Sequence, residues 1–323
     1  MSNSPNQSGE YDLIARYFQN WPKYSNTQIK TIVPNGDDCL VIQSSCPIAI
    51  SVDSIVENVH FLTSSPAHGV GYRALATAVS DLVAMGATPS FFTLALTFNK
   101  DEAWLKLFSE GLKQAANDFK IDLQGGDTTR CKKTSKNTSV ITVQVHGECL
   151  NPIKRSTAKV GDLICVTGNL GDAAAAVLLL ETEHINAIQQ TLLNAFYYPK
   201  PPIHLSKQLS TKAHSAIDIS DGLLADLMHI CKKSQLQAKI DRTKIPLSVA
   251  LKQTNTAAQA LTFALTGGDD YQVCFTIDRS QLDWIKQNNI FVIGEMFNGV
   301  VDILDEHNQS FTKHYATLGY QHF

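Results

Sequence analysis

The chain has 323 residues, of which 44% are apolar and 18% charged, enough for two ordinary domains or one large α/β unit around a substantial core. A net charge of −3 gives no sign of a nucleic-acid partner or a membrane-surface protein. The longest apolar run, AAAAVLLL at 173–180, is far short of the ~20 residues that span a bilayer, and the N-terminus MSNSPNQSGEYD lacks the order of a signal peptide. Seven cysteines without a C-x-x-C pair read as reduced thiols of a cytoplasmic protein.

In chain order, CLVI (39–42) and PIAISV (47–52) read as short strands. GYRALATAVSDLVAMG (71–86) reads as a helix, because Leu75, Val79, Leu82 and Val83 share one face. FFTLALTF (91–98) reads as a strand and DEAWLKLFSEGLKQAANDF (101–119) as an amphipathic helix with acids at its start. SVITVQVHG (139–147) alternates Ile141, Val143 and Val145 with polar neighbours, as a strand does. The polar ECLNPIKRSTAKVGD (148–162) then breaks the composition, so two α/β domains are expected, residues 1–148 and 149–323. In the second, LICVTG, SAIDIS, YQVCFTI and FVIGEM read as strands. GDAAAAVLLLE, IHLSKQLSTKA, GLLADLMHICKK and RSQLDWIKQ read as helices.

The acidic residues carry the chemistry. LQGGDTTR (123–130) reads as a loop shaped for a phosphate, yet it offers Asp127 where a lysine would be expected. Gly-Asp occurs five times, against about one expected from composition. Gly161-Asp162 and Gly171-Asp172 read as turn and helix-start chemistry; the other three pairs flank apolar strands. Asp37 and Asp38 point to opposite faces, so one of them enters a shared site. Ser51 and Asp53 share a strand face, as do Asp218 and Ser220. Asp221, at a strand-to-helix turn, either joins the same point or caps the helix. Asp81 lies in an apolar helix beside Leu82, where a charge is costly unless paired or metal-bound. Asp38, Asp53, Asp81, Asp127 and Asp218 brought within a few ångströms would repel one another without a cation. Oxygen-only ligands select a hard ion such as Mg²⁺, which bridges substrate phosphates. Asp127 then reads as a metal ligand, with Gly125 and Gly126 admitting the backbone close to the ligand. The residues alone point to Mg²⁺-dependent phosphoryl transfer without a Walker A loop or protein-kinase signatures.

GEYDLIARYF, GDDCLVI, SVDSIVENVHF, AVSDLVAMGA, QGGDTTR, KRSTAKVGD, AIDISDGL and GGDDYQVCF follow one another from about residue 9, and the chain closes on GYQHF. In this order the chain resembles the thiamine-monophosphate kinase family. The resemblance implies transfer of the γ-phosphate of ATP to thiamine monophosphate, giving thiamine diphosphate and ADP, the last step of thiamine diphosphate biosynthesis. It implies several Mg²⁺ ions, ATP as co-substrate, and no nucleic-acid or membrane partner. The implied fold is that of aminoimidazole-ribonucleotide synthetase, two α/β (α+β) domains. The N-terminal one is a mixed sheet with helices on one face that binds ATP and Mg²⁺ and pairs across a homodimer. The C-terminal one is an α/β sandwich that completes the active site.

Carried over by position, Asp38, Ser51, Val52 (by its carbonyl), Asp53, Asp81, Asp127, Asp218 and Asp221 match magnesium ligands, with Asp53, Asp127 and Asp218 as the catalytic carboxylates. Gly126, Asp127, Arg155 and Ser220 match ATP contacts; His60, Asp269 and Tyr320 match thiamine-substrate contacts. Two positions depart from the pattern: Val52 replaces a threonine, and Asp269 replaces a longer glutamate. The rival readings are a superfamily member acting on an amidine, selenide or carbamoyl substrate, a metal-dependent phosphohydrolase, and a nucleotide-binding protein without turnover. NVHF, GGDTTR and GYQHF favour the kinase.

Overall fold

The computed structural model describes residues 10–19, 21–24, 28–34, 39–131 and 138–321. The chain divides into two compact units, Met1–Ala78 with Pro89–Glu148, and Val79–Thr88 with Cys149–Phe323. The division after Glu148 falls at the polar break in composition. Residues 79–88, with Asp81, group with the second unit rather than with the helix turns that precede them.

The first unit opens with helix α1 (Glu10–Tyr17) and a ribbon of β1 (Ile29–Val33) and β2 (Val41–Ser44). Then come β3 (Ile48–Val56), α2 (Ala67–Ala84), β4 (Thr88–Phe98), α3 (Glu102–Phe119), β5 (Asp122–Arg130) and β6 (Val140–Glu148). Four of the strands form a mixed sheet in the order β3-β6-β4-β5, antiparallel between β3 and β6 and parallel between β4 and β5. Parallel neighbours need a crossover, and α3 supplies it. Its start is capped by Asp101, whose side chain accepts the Trp104 N–H at 2.9 Å. Phe92, Leu94, Leu96 and Phe98 alternate along β4 into the core with Leu105, Phe108 and Leu112 of α3.

LQGGDTTR is a strand, not a loop. Two glycines argue locally against strand, but the ladder with β4 runs from Phe91 opposite Asp122 to Phe98 opposite Arg130 and overrides them. A bulge between Leu123 and Gly125 interrupts that register.

The second unit contains β7 (Leu163–Val166), α4 (Asp172–Val177), α5 (Ala187–Tyr197), α6 (Ile203–Lys212), β8 (Ala213–Asp218), α7 (Leu223–Ser234) and β9 (Gln237–Ile240). It continues with α8 (Val249–Thr254), α9 (Ala257–Thr266), β10 (Val273–Ile277), α10 (Leu282–Gln287), β11 (Phe291–Phe297), β12 (Ile303–Leu304) and α11 (Phe311–His314). Its six-stranded sheet has the order β12-β9-β11-β7-β10-β8. Leu223, Leu227 and Ile230 of α7 pack with Ile217, Ile219 and Cys274 in one core. A second core joins α4, α5, α8 and α9 through Ala176, Leu192, Phe196, Leu251 and Ala260. Among the described residues no helix is long and apolar enough to cross a membrane. No disulfide joins any of the seven cysteines.

Helices α2 and α3 touch backbone to backbone at two glycines. A Cβ on Gly71 would lie 2.1 Å from the Phe108 carbonyl oxygen, and one on Gly111 would lie 1.8 Å from that of His68. Neither obstacle is a side chain that can turn away. Gly111→Ala is therefore expected to cost about 1–3 kcal/mol by forcing the helices apart; urea denaturation of the whole protein measures it.

Candidate active site

In the first unit, β3 places Ser51, Asp53 and the buried Ile55 on one side, and Ile50, Val52 and Ser54 on the other. Ser51 pairs with Val145 and Asp53 with Val143 of β6. Asp127 lies on β5, at the edge of the same sheet, opposite Ala95; its Oδ2 accepts the Thr129 hydroxyl at 3.1 Å. The adjoining glycine also answers to packing within the sheet. Gly126 has φ 157°, and a Cβ there would meet the Leu94 carbonyl oxygen at 2.0 Å, whereas at Gly125 it would meet only Thr93 Cγ2 at 3.6 Å. Asp38 lies outside the described residues.

The turn after β3 holds His60. Val56 N–H donates to His60 Nδ1 at 3.0 Å, and His60 N–H donates to the Val56 carbonyl at 2.8 Å. A ring nitrogen that accepts carries no proton, so the neutral imidazole is protonated at Nε2 and offers a donor there. Beneath this turn Glu57 is buried, paired with Lys100, and accepts the Ser139 N–H at 3.0 Å. Burial pushes the Glu57 carboxyl up, but the bonds from Lys100 and Ser139 outweigh it and hold the pKa at about 2.

In the second unit, β8 ends on Asp218, which is 5% exposed and accepts the Ser80 hydroxyl at 2.9 Å. The tail of α2 thus brings Ser80, and with it the neighbouring Asp81, to the end of β8. Beyond Asp218 the chain turns through Ile219–Gly222 into α7, and every backbone group of this turn that matters to the site has a partner. Tyr271 N–H donates to the Ile219 carbonyl at 2.8 Å, Asp269 N–H to that of Ser220 at 2.9 Å, and Tyr320 N–H to that of Asp221 at 2.9 Å. The N–H groups of Ser220, Asp221 and Gly222 all donate to Asp226 Oδ2, each at 3.1 Å. Ser220, Asp221, Asp269 and Tyr320, named from three motifs, are therefore brought together by the backbone of one turn. Asp221 does not cap α7: the N-cap is Gly222, without a side-chain cap bond.

Asp269 and Tyr271 both have positive φ, 71° and 50°. Non-glycine residues seldom adopt it, and such strain collects at functional sites. The Tyr271 hydroxyl donates to Asp269 Oδ1 at 2.8 Å, tying the two together. Arg155 lies on the approach to β7, its carbonyl bonded to the Ser234 hydroxyl at the end of α7. His229 of α7 is held below its usual pKa by burial first and then by the Arg155 and Lys232 charges, against an upward push from Asp221. Arg155 and Asp221 are thus both within electrostatic range of one ring.

Sequence reasoning missed Asp226, Asp270 and Tyr271. Asp226 is 2% exposed, and burial, then Asp218 and Asp221, push its carboxyl up to about 8. The carboxylate of Asp270 takes the Gly171 N–H on both oxygens at 2.9 Å, at the start of α4. An acid beside core-facing leucines was the signal read at Asp81, and it would have found Asp226. Among the described residues no group of three or more His, Cys, Asp or Glu is gathered so as to hold a metal ion. Of the carboxylates expected to gather, Asp53 and Asp127 belong to the first unit and Asp81 and Asp218 to the second.

Two family models match the chain, AIR synthase related protein N-terminal domain over residues 36–149 and C-terminal domain over 159–304. The thiamine-monophosphate kinase of Haemophilus influenzae is 41% identical over 284 residues, 86% of this chain and 84% of that protein. A crystal structure of the thiamine-monophosphate kinase from Stenotrophomonas maltophilia K279a superposes with TM-score 0.79 at 32% identity, covering 92% of this chain and 95% of that one. A structure described as "AaThiL complexed with AMPPCP and TMP" superposes with TM-score 0.77 at 29% identity, covering 85% and 87%.

The pairing beneath His60 has a pH signature. Glu57 holds a pKa of about 2 in the folded chain against 4.5 ordinarily, so its stabilisation is complete above the higher value and lost as pH falls towards the lower. Lys100→Met is expected to lower the melting temperature at neutral pH, with the gap from wild type closing over that acid range. A gap that stays constant down to the lower pH would mean that the pair does not titrate this way.

Proposed function

Because this chain belongs to the thiamine-monophosphate kinase family, we propose that it transfers the γ-phosphoryl group of ATP to thiamine monophosphate, forming thiamine diphosphate and ADP. The observation that carries the reading is the turn from Asp218 to Gly222. Its backbone carbonyls hold Asp269 and Tyr320, so metal, nucleotide and substrate candidates share one hydrogen-bonded frame. The acceptor is a phosphate already ionised at neutral pH, so no general base is required. An acceptor oxygen bonds to the γ-phosphorus as the bridge to the β-phosphate breaks, and ADP leaves with that electron pair. No phosphoenzyme intervenes.

The chain's task is alignment and charge. We assign Gly126, Asp127, Arg155 and Ser220 to ATP. We assign His60, Asp269 and Tyr320 to thiamine monophosphate, where the His60 Nε2–H suits an acceptor oxygen and the Asp269 carboxylate complements the cationic thiazolium. The donor set fits Mg²⁺: carboxylate, hydroxyl and carbonyl oxygens, with no imidazole or thiolate. Asp38, Ser51, Val52, Asp53, Asp81, Asp127, Asp218 and Asp221 would hold several ions, supplying positive charge against the crowded phosphates. Mg²⁺ in such sites uses one or two carboxylates plus phosphates and water.

We also infer a cytoplasmic homodimer. Support comes from β3, an edge strand whose Ile50 and Val52 are 57% and 56% exposed on one face, and from seven cysteines without a disulfide. Equilibrium sedimentation tests the dimer.

A ³¹P NMR time course with ATP, Mg²⁺ and thiamine monophosphate is expected to show thiamine diphosphate growing in step with ADP, and neither product when the acceptor is omitted or EDTA is added. ADP and free phosphate without acceptor would mean a hydrolase. Asp53→Asn and Asp127→Asn are expected to fold normally yet lose on the order of 10²-fold in turnover. Near-wild-type rates at saturating Mg²⁺ would overturn the metal assignment.

A further inference from the structure

We propose that Asp226 is a positioning residue for the reaction, its buried carboxylate setting the turn that carries Ser220 and Asp221 and, through that turn, the placement of Asp269 and Tyr320. The assignment rests on the kinase reading for which reaction is served, while the geometry is independent of it.

A helix start leaves backbone N–H groups without intrahelical partners, and a side chain just before the helix ordinarily accepts one. At α7 that position is Gly222, with φ 131° and no side chain to offer. The acceptor comes from inside the helix instead. Asp226 stands in the first turn, where a side chain leans back towards the N-terminus. Three consecutive N–H groups converge on one point in the manner of a nest; here the acceptor they meet is the protein's own Oδ2. Asp226 is 2% exposed, so water is poorly placed to replace the acceptor.

The same turn is held from its other side. The Ser220 carbonyl takes the Asp269 N–H and the Asp221 carbonyl takes the Tyr320 N–H, both at 2.9 Å. Two close glycine contacts add to the grip: a Cβ on Gly268 would meet the Ser220 carbonyl oxygen at 2.2 Å, and one on Gly319 that of Asp221 at 2.5 Å. With carbonyls fixed from outside and N–H groups fixed by Asp226, the peptide planes of the turn have one orientation. Releasing the N–H side lets them rotate and shifts nucleotide-side and substrate-side residues together. A residue that only stabilised the fold would leave the folded fraction with normal binding.

The test compares Asp226→Ala and Asp226→Glu with wild type and with Asp162→Asn. Glu keeps the carboxyl group but pushes its oxygen past the nest by one methylene. Asp162 is a buried carboxylate of the same unit, bonded to His214 and to the Lys159 N–H, and outside the site. The readouts are binding of Mg²⁺ with the non-hydrolysable analogue AMPPCP by calorimetry, and kcat and KM for each substrate, all scaled to the fraction folded by circular dichroism. Both Asp226 variants are expected to bind the analogue about tenfold to a hundredfold more weakly, with kcat reduced by a similar factor. Asp162→Asn is expected to melt earlier but to bind and turn over normally. Where Asp226→Ala fails to fold, Asp226→Glu decides. Binding and turnover per folded molecule within about threefold of wild type overturn the proposal. Wild type that binds the analogue but makes no thiamine diphosphate overturns the kinase reading instead, while the binding comparison still decides the role of Asp226.

Discussion

Three backbone N–H groups in succession, at Ser220, Asp221 and Gly222, end on one carboxylate oxygen of Asp226. Each would cost about 1–3 kcal/mol if buried without an acceptor, so the turn and the first turn of α7 stand or fall together. β8 delivers Asp218 into this turn and α7 leaves from it. The carbonyls of the turn then fix Asp269 and Tyr320, which reach it from distant parts of the chain. Asp269 and Tyr271 hold left-handed backbone conformations, each costing about 1–3 kcal/mol. The Tyr271 hydroxyl on Asp269 and the two ladder-like bonds to Ile219 and Ser220 are what sustain them.

The first unit is built by different means. Its candidate residues sit on or beside strands, where register rather than a turn sets position: Ser51 and Asp53 against β6, Asp127 against β4. Gly126 serves that register, since its absent side chain is what lets β5 lie against Leu94. His60 is fixed by its own turn, which chooses the tautomer, and Glu57 and Lys100 anchor the turn's base. Rigid elements of this kind hold functional groups more accurately than free loops do.

Phosphate-to-phosphate transfer demands the handling of charge more than the movement of protons. On the proposed reading, carboxylates that face two polyanions need cations between protein and substrate. In the roles proposed for them, Arg155 and the His60 Nε2–H add a positive charge and a donor from the protein itself. Their chemistry is that of alignment and neutralisation, and it matches an acceptor that arrives ionised.

Much was legible in the sequence by itself. The periodicity of residues 71–86 and 101–119 marks α2 and α3, and the alternation of Ile141, Val143 and Val145 marks β6. A spacing of two puts Ser51 and Asp53 on one strand face. The ordered motifs carry the family, because their residue types are chemical requirements that leave a trace in any single sequence. The tertiary structure alone decided that Gly125-Gly126 belong to a strand, that Asp226 rather than Asp221 satisfies the start of α7, and that the stretch holding Asp81 groups with the second unit. It also decided the conformations of Asp269 and Tyr271. Periodicity and capping rules report interactions within a few residues, whereas strand pairing to β4 and carbonyl bonds from residues 269 and 320 join segments far apart in the chain. Such contacts exist only once the chain is folded, and at those positions they outweigh the local preference.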